Sequence, residues 1–214
     1  ELLDKRFRWK RLSMHAKVVL SVSGALIVGG ALLVKLTENI PWLGAFFNSV
    51  SARTAGFSTY PLGNFSNAGL LVMIFLMFVG ASPGSTGGGI KTTTLFVLLQ
   101  GMKSAATNRS EKAFRYSVPK DAFKKAAIIT LLGMGIVFTG TFIFCALEPQ
   151  LGLSDVLFEV VSAFGTVGLS TGITPTIGTG AKLLSIVLMY IGRLGPMTVA
   201  MLWYFSRGER ARYP

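Results

Sequence analysis

The chain has 214 residues, 51% of them hydrophobic and 14% charged, and its 21 Lys and Arg against nine Asp and Glu give a net charge of +12. A mean hydropathy of +0.58 exceeds what a soluble core of this size needs, so composition excludes an ordinary globular enzyme and indicates a bilayer. The basic residues flank lipid-length apolar stretches instead of interleaving with aromatics on a polar surface, which excludes nucleic acid as the partner.

The chain opens on Lys5, Arg6, Arg8, Lys10, Arg11 and Lys17. Residues 18–34 are then apolar and long enough, at about 1.5 Å per residue, to cross most of a hydrocarbon core of about 30 Å. Residues 41–52 are too short to span; they start at Pro41, a helix-initiating residue, and predict a re-entrant pore helix. Thr54-Ala55-Gly56-Phe57-Ser58 follows. Residues 70–79 and 90–101 are largely apolar, but Gly80, Ser82, Pro83, Gly84, Ser85, Thr86, Gly87, Gly88 and Gly89 stand between them, a composition no continuous helix would choose. An inner helix is expected to break there. Irregular backbone at membrane depth needs protein or a water-filled cavity to satisfy its polar groups, so this loop is expected to line a pore and gate it. Lys91 is read with the gate, or as a cation snorkelling to the cytoplasmic interface.

A second basic run, Lys103, Arg109, Lys112, Arg115, Lys120, Lys124 and Lys125, precedes the apolar residues 126–147. Residues 154–164, opened by Ser154, predict a second pore helix. Thr166-Val167-Gly168-Leu169-Ser170 comes next, and 183–205 form the last expected span. At a constant offset of 112, Phe46 aligns with Phe158, Thr54 with Thr166, Gly56 with Gly168, Ser58 with Ser170 and Thr59 with Thr171. Arg193 lies near the middle of the last span, where facing lipid would cost at least about 2.5 kcal/mol. No Asp or Glu lies in either inner helix, so Arg193 is expected to face the cavity below the pentapeptides. There it would lower cation occupancy or hold the glycine loop by hydrogen bonds.

Arg207, Arg210 and Arg212 close the chain, and the three basic runs hold 16 of the 21 basic residues. Glu38, Glu148, Asp155 and Glu159 fall in the other connections, so the positive-inside rule places the N-terminus, central loop and C-terminus in the cytoplasm. The reading is an all-α membrane protein with four spanning helices. Its two parallel repeats, each helix, pore helix, filter and helix, occupy residues 1–105 and 106–214.

In a potassium filter, backbone carbonyls replace the water shell of the ion, and glycine permits dihedral angles that let neighbouring carbonyls converge. The candidate donors are the carbonyls of Thr54, Ala55, Gly56 and Phe57 and of Thr166, Val167, Gly168 and Leu169, with K+ as the bound ion and sodium as the alternative or accompanying one. These pieces resemble the Trk/Ktr/HKT superfamily of potassium transporters, most closely the Ktr-type membrane subunit. The likeness covers nearly the whole chain and is carried by residues 54–59, 80–92, 165–172 and Gly192-Arg193-Leu194-Gly195-Pro196.

The resemblance implies the third and fourth of four repeats around one pseudo-fourfold pore in the plasma membrane, with an intramembrane loop that obstructs the pore until activation. It also implies a homodimer of full-length subunits and a separate cytosolic ring of nucleotide-binding regulatory subunits. Four filter segments are needed and two are present, so the chain reads as the C-terminal half of a longer protein or as a half that dimerises around one pore. Within the superfamily, glycine at the central filter position goes with potassium preference, as at Gly56 and Gly168. Ser58 and Ser170 replace the last glycine of the channel signature and Phe57 and Leu169 its tyrosine, so a less regular filter holding fewer ions is expected.

Rival chemistries find little support. A phosphate loop at residues 84–92 fails because Ile90 separates Gly89 from Lys91 and no acidic magnesium ligand follows at a convincing distance. His15, the single histidine, has no Cys, Asp or Glu constellation around it for a metal or a catalytic dyad, and Cys145 has no partner for an intrachain disulfide. A non-transporting membrane scaffold is the alternative from another class. A sodium-driven carrier would want an inverted repeat, whereas the charge pattern makes the halves parallel.

Overall fold

The computed structural model describes residues 12–107, 112–113, 116–117, 120–195 and 198. Lys5, Arg6, Arg8, Lys10, Arg11, Arg109, Arg115, Pro196, Arg207, Arg210 and Arg212 lie outside the described residues, as does most of 196–205. Among the described residues, seven α-helices build the fold: α1 (Met14–Thr37), α2 (Trp42–Ser51), α3 (Asn67–Phe78), α4 (Thr92–Thr107), α5 (Lys120–Leu147), α6 (Leu153–Phe164) and α7 (Thr179–Leu194). A two-residue antiparallel ladder of β1 (Lys112–Ala113) with β2 (Tyr116–Ser117) leaves the all-α class intact.

Hydropathy and capping set different limits on these helices. α1 runs past 18–34 at both ends, because the Ser13 hydroxyl accepts the Ala16 amide at 3.2 Å and so starts the helix four residues before the first apolar one. Its last turn runs on to Thr37, with Glu38 as the C-cap. Among the described residues, α1 and α5 are the two helices long and apolar enough to cross a membrane. α3 stops at Phe78 and α4 starts at Thr92, so neither of these has the length to span alone.

Two expectations are corrected. α7 stops at Leu194, where Gly195 takes a φ of 87°, so 183–205 is not one uninterrupted helix and Arg193 sits in the last turn of α7. α6 is capped by Gly152, which makes Ser154 its second residue and not its initiator. The neighbouring Gly195-Pro196 pair explains the first correction, since a left-handed glycine before a proline ends a helix that apolar composition alone would extend.

α2 packs on α1, and α6 packs on both α5 and α7, while α3 crosses between the halves to lie on α6. Val34, Met73 and Met77 from the first half and Phe144, Phe158 and Phe164 from the second are fully buried. The Phe78 and Phe164 rings stack with centroids 6.1 Å apart, joining α3 to the end of α6. Leu36, Leu131, Phe138, Phe142 and Tyr190 are exposed. Such an outer surface is at home against lipid or further protein, not water.

A matched pair of carboxylates ties each long helix to the next inner one. Glu38, at the end of α1, accepts from the amide and hydroxyl of Ser66, the N-cap of α3, at 2.9 and 2.7 Å. Glu148, just past α5, accepts from the amide of Gly178, the N-cap of α7, at 2.5 Å and from Gln150 at 2.7 Å. Each places a negative charge on the positive end of a helix dipole. Glu148 is buried and Glu38 only half-buried, so the same loss is felt unequally. Glu148→Ala should destabilise by about 1.5–3 kcal/mol, the range for a charged hydrogen bond, and Glu38→Ala by less; thermal unfolding in detergent checks the order.

Candidate functional site: the paired Thr-x-Gly segments

Each short helix ends where an unusual backbone begins. α2 ends at Ser51 and α6 at Phe164, and three residues and two residues later, respectively, stand the only non-glycine residues with positive φ among those described, Thr54 at 78° and Thr166 at 52°. Gly56 at 76° and Gly168 at 92° follow two residues on, while Ala55 and Val167 between them keep negative φ. A β-branched residue in the left-handed region is a true outlier, at a cost of about 1–3 kcal/mol, and such strain gathers at functional sites. Alternating signs of φ also prevent a strand, in which successive carbonyls point to opposite faces.

The amides of these segments turn back to the helices. Ala55 and Gly56 donate to the Ser51 carbonyl at 3.1 and 3.2 Å, Thr166 to Ala163 at 3.0 Å and Val167 to Ser162 at 2.9 Å. Among the described residues, no hydrogen bond reaches the carbonyls of Thr54, Ala55, Gly56, Thr166, Val167, Gly168 or Leu169; the Phe57 carbonyl accepts from the Ser51 hydroxyl. Free carbonyls next to the negative ends of α2 and α6 make a local environment that favours a cation.

The two segments lie side by side. A Cβ at Gly56 would stand 2.2 Å from the Val167 carbonyl oxygen and 3.4 Å from the Gly168 Cα. Their flanks differ. Val167 and Leu169 are buried, whereas Ala55 is exposed and Phe57 is 70% exposed, so the first segment has an open side and the second is backed by the core.

The connection between α3 and α4 runs directly beneath. Ser82 to Ser85 form a turn closed by the Ser85 amide on the Ser82 carbonyl at 3.1 Å, and Gly84, Ser85 and Thr86 are exposed at its tip. The chain then returns under the segments. A Cβ at Gly87 would come within 2.8 Å of the Thr54 side chain, and one at Gly88 within 2.8 Å of that of Thr166. The Gly88 amide donates to Thr166 Oγ1 at 2.7 Å. Ile90 closes the loop by donating to the Phe78 carbonyl at 3.1 Å, and Gly80 packs against the backbone of Gly88 and Gly89.

Two cations hold this loop, and Arg193 is not one of them. Lys91 Nζ turns back to the Gly87 carbonyl instead of extending to an interface. Arg53, one residue before Thr54, bridges the Ser23 carbonyl of α1 at 3.4 Å and the Gly80 carbonyl at 3.3 Å. Arg193 is exposed, lies close enough to Lys91 to repel it, and makes no hydrogen bond to the loop among the described residues. The hydrogen bonds expected of Arg193 thus belong to Lys91 and Arg53. Arg53 escapes sequence reasoning because it is one of the five basic residues outside the three runs and stands in no motif. Its signal was its place, directly before the strained threonine.

The sequence matches the family model described as "TrkH: Cation transport protein" over residues 7–206. The chain belongs to the TrkH family of cation transport proteins. This TrkH-family chain is 37% identical to the potassium/sodium uptake protein NtpJ of Enterococcus hirae over 97% of its own length and 50% of that protein's. It is 34% identical to the Ktr system potassium uptake protein B of Bacillus subtilis, over 98% of this chain and 50% of that one. The potassium transporter TrkH from Vibrio parahaemolyticus shares the fold, with a TM-score of 0.71 at 20% identity over 91% of this chain and 44% of that one. The chain therefore spans about half the length of the relatives it matches. Family membership together with α1 and α5 places it in a membrane.

The two glycines of this TrkH-family site differ in what they tolerate. At Gly56 a methyl group meets both a positive φ and the Val167 carbonyl, whereas at Gly168 the nearest atom is the Gly56 Cα at 3.8 Å. Gly56→Ala should destabilise by about 2–5 kcal/mol, combining left-handed strain with overpacking, and Gly168→Ala by about 1–2 kcal/mol from strain alone. Thermal unfolding of the two variants in detergent measures the difference.

Proposed function

We propose that the chain forms half of a potassium-conducting pore, in which the carbonyls of residues 54–57 and 166–169 strip water from the ion. The observation that carries the reading is the pair of adjacent segments whose amides turn back to their helices and whose carbonyls, that of Phe57 excepted, are left free among the described residues. A monovalent cation there loses hydration and gains several fixed carbonyl dipoles, which is how a carbonyl-lined filter selects. Transport is downhill permeation and needs no covalent chemistry. The uptake proteins among its relatives, one of them named for both potassium and sodium, favour the same reading and keep sodium as the second candidate ion.

In this reading α2 and α6 are re-entrant pore helices, and α3 with α4, like α7 with the residues after it, are inner helices with a break, giving four crossings with the termini and the basic central loop in the cytoplasm. The exposed Ala55 and Phe57 mark the flank against which a further repeat packs, supplied by the rest of a longer chain or by a second copy. By likeness to the Ktr type, full-length subunits pair as homodimers, and a cytosolic nucleotide-binding ring meets the cytoplasmic face.

The selectivity claim is tested in the full-length transporter by rubidium uptake in competition with sodium. The Gly168 site has room for a Cβ, so Gly168→Ser should leave a folded protein that discriminates about tenfold less well, equivalent to about 1.4 kcal/mol. An unchanged ratio would remove the filter.

Residues 80–91 are the gate of the same reading, a role supported by the contacts of Gly87 with Thr54 and of Gly88 with Thr166. Lys91 and Arg53 hold the closed form by hydrogen bonds to Gly87 and Gly80. Deleting residues 84–88 should raise basal flux severalfold, and Arg53→Gln should raise it by a smaller factor; equal or lower flux in both, with protein levels matched, removes the gate.

A further inference from the structure

Glu159 is absent from the reading above. It lies on α6, half-buried, and its carboxylate collects donors from the turn that leaves the second segment. The Ser170 hydroxyl donates to it. The Thr174 hydroxyl stands 3.2 and 3.3 Å from its two oxygens and 2.8 Å from Ser170 Oγ, which also accepts the Gly172 amide at 2.9 Å. One carboxylate thus gathers residues 170–174, the stretch that begins immediately after Leu169. The same turn meets the other repeat, since a Cβ at Gly63 would stand 2.6 Å from the Thr171 carbonyl.

The first segment has no counterpart. The position 112 residues before Glu159 is Phe47, and the first segment is pinned instead by Ser51, whose hydroxyl accepts the Phe57 amide at 2.7 Å. The Ser58 hydroxyl, the equivalent of Ser170, donates to the nearby Tyr60 carbonyl. Two repeats alike in backbone are therefore held by different chemistry, a hydroxyl in one and a carboxylate in the other.

We propose that Glu159 is a specificity-determining positioning residue, which fixes the outer end of the second segment so that the carbonyls of Gly168 and Leu169 keep a spacing suited to potassium. The proposal rests on the filter reading. Carbonyl dipoles discriminate between ions of different radius only while they resist closing on the smaller one. The second segment has side-chain packing behind Val167 and Leu169, and this hydrogen-bonded cage holds its exit.

The test is rubidium uptake against sodium competition in the full-length transporter, for Glu159→Leu, Glu159→Gln and the double variant Ser170→Ala with Thr174→Val. Gly168→Ser serves as the reference. Glu159→Leu and the double variant should each lower rubidium-over-sodium discrimination about tenfold, the scale of one lost charged hydrogen bond, and Glu159→Gln, which keeps an acceptor, should recover most of it. Residues that merely hold the fold together would reduce uptake of both ions in proportion to protein amount and leave the ratio alone. The double variant keeps the carboxylate, so it decides the matter if Glu159→Leu does not fold. A ratio within twofold of wild type in the folded Glu159 and double variants, with a shifted ratio in Gly168→Ser, overturns the role of Glu159 and leaves the filter standing. No shift in Gly168→Ser overturns the filter itself.

Discussion

The contact between Gly56 and the Val167 carbonyl is the constraint on which the other features depend. Two segments from opposite halves approach so closely that no side chain fits at Gly56. That approach is possible only because α2 and α6 deliver their C-terminal ends to the same place and their last-turn carbonyls absorb the amides of the segments. What remains is a cluster of backbone oxygens without protein donors, beside two strained threonines whose φ values carry a standing energetic cost. A soluble fold would satisfy those oxygens with water. In the pore proposed above, their partner is a desolvated cation.

The loop between α3 and α4 depends on the same contact from below. Its glycines lack side chains where Thr54 and Thr166 descend, so loop and segments fit as one unit, with Gly88 hydrogen-bonded to Thr166. Arg53 ties the start of the loop to the residue preceding Thr54, which couples the position of the loop to the base of the first segment. Elsewhere the coupling runs through carboxylates: Glu38 and Glu148 fasten long helices to the helices that follow, and Glu159 fastens α6 to the exit turn. Basic side chains therefore hold the loop, and acidic ones the helix ends and the exit turn.

Much of the fold was legible in residue order because lipid imposes length and polarity rules that water does not. The all-α class and the long apolar helices α1 and α5 followed from those rules, and the glycine-rich run coincides with the interval between α3 and α4. The stop at Gly195 is masked by the apolar composition that continues past it, although the Gly195-Pro196 pair is the residue signal that carries it. Charged residues were the least legible. Hydropathy reads Arg53, Glu148 and Glu159 only as a count on one side of a membrane, whereas their partners are backbone and side-chain groups up to 30 residues away. For the same reason Arg193, conspicuous by its apolar neighbours, was given hydrogen bonds that Lys91 and Arg53 make.

The most direct measurement is the anomalous scattering of thallium(I), a potassium mimic, in crystals of the full-length transporter. The account predicts peaks at coordination distance, about 3 Å, from the carbonyl oxygens of Gly56 and Gly168 together, with no carboxylate among the ligands. Peaks confined to acidic side chains, or a filter region empty at saturating thallium, would contradict it.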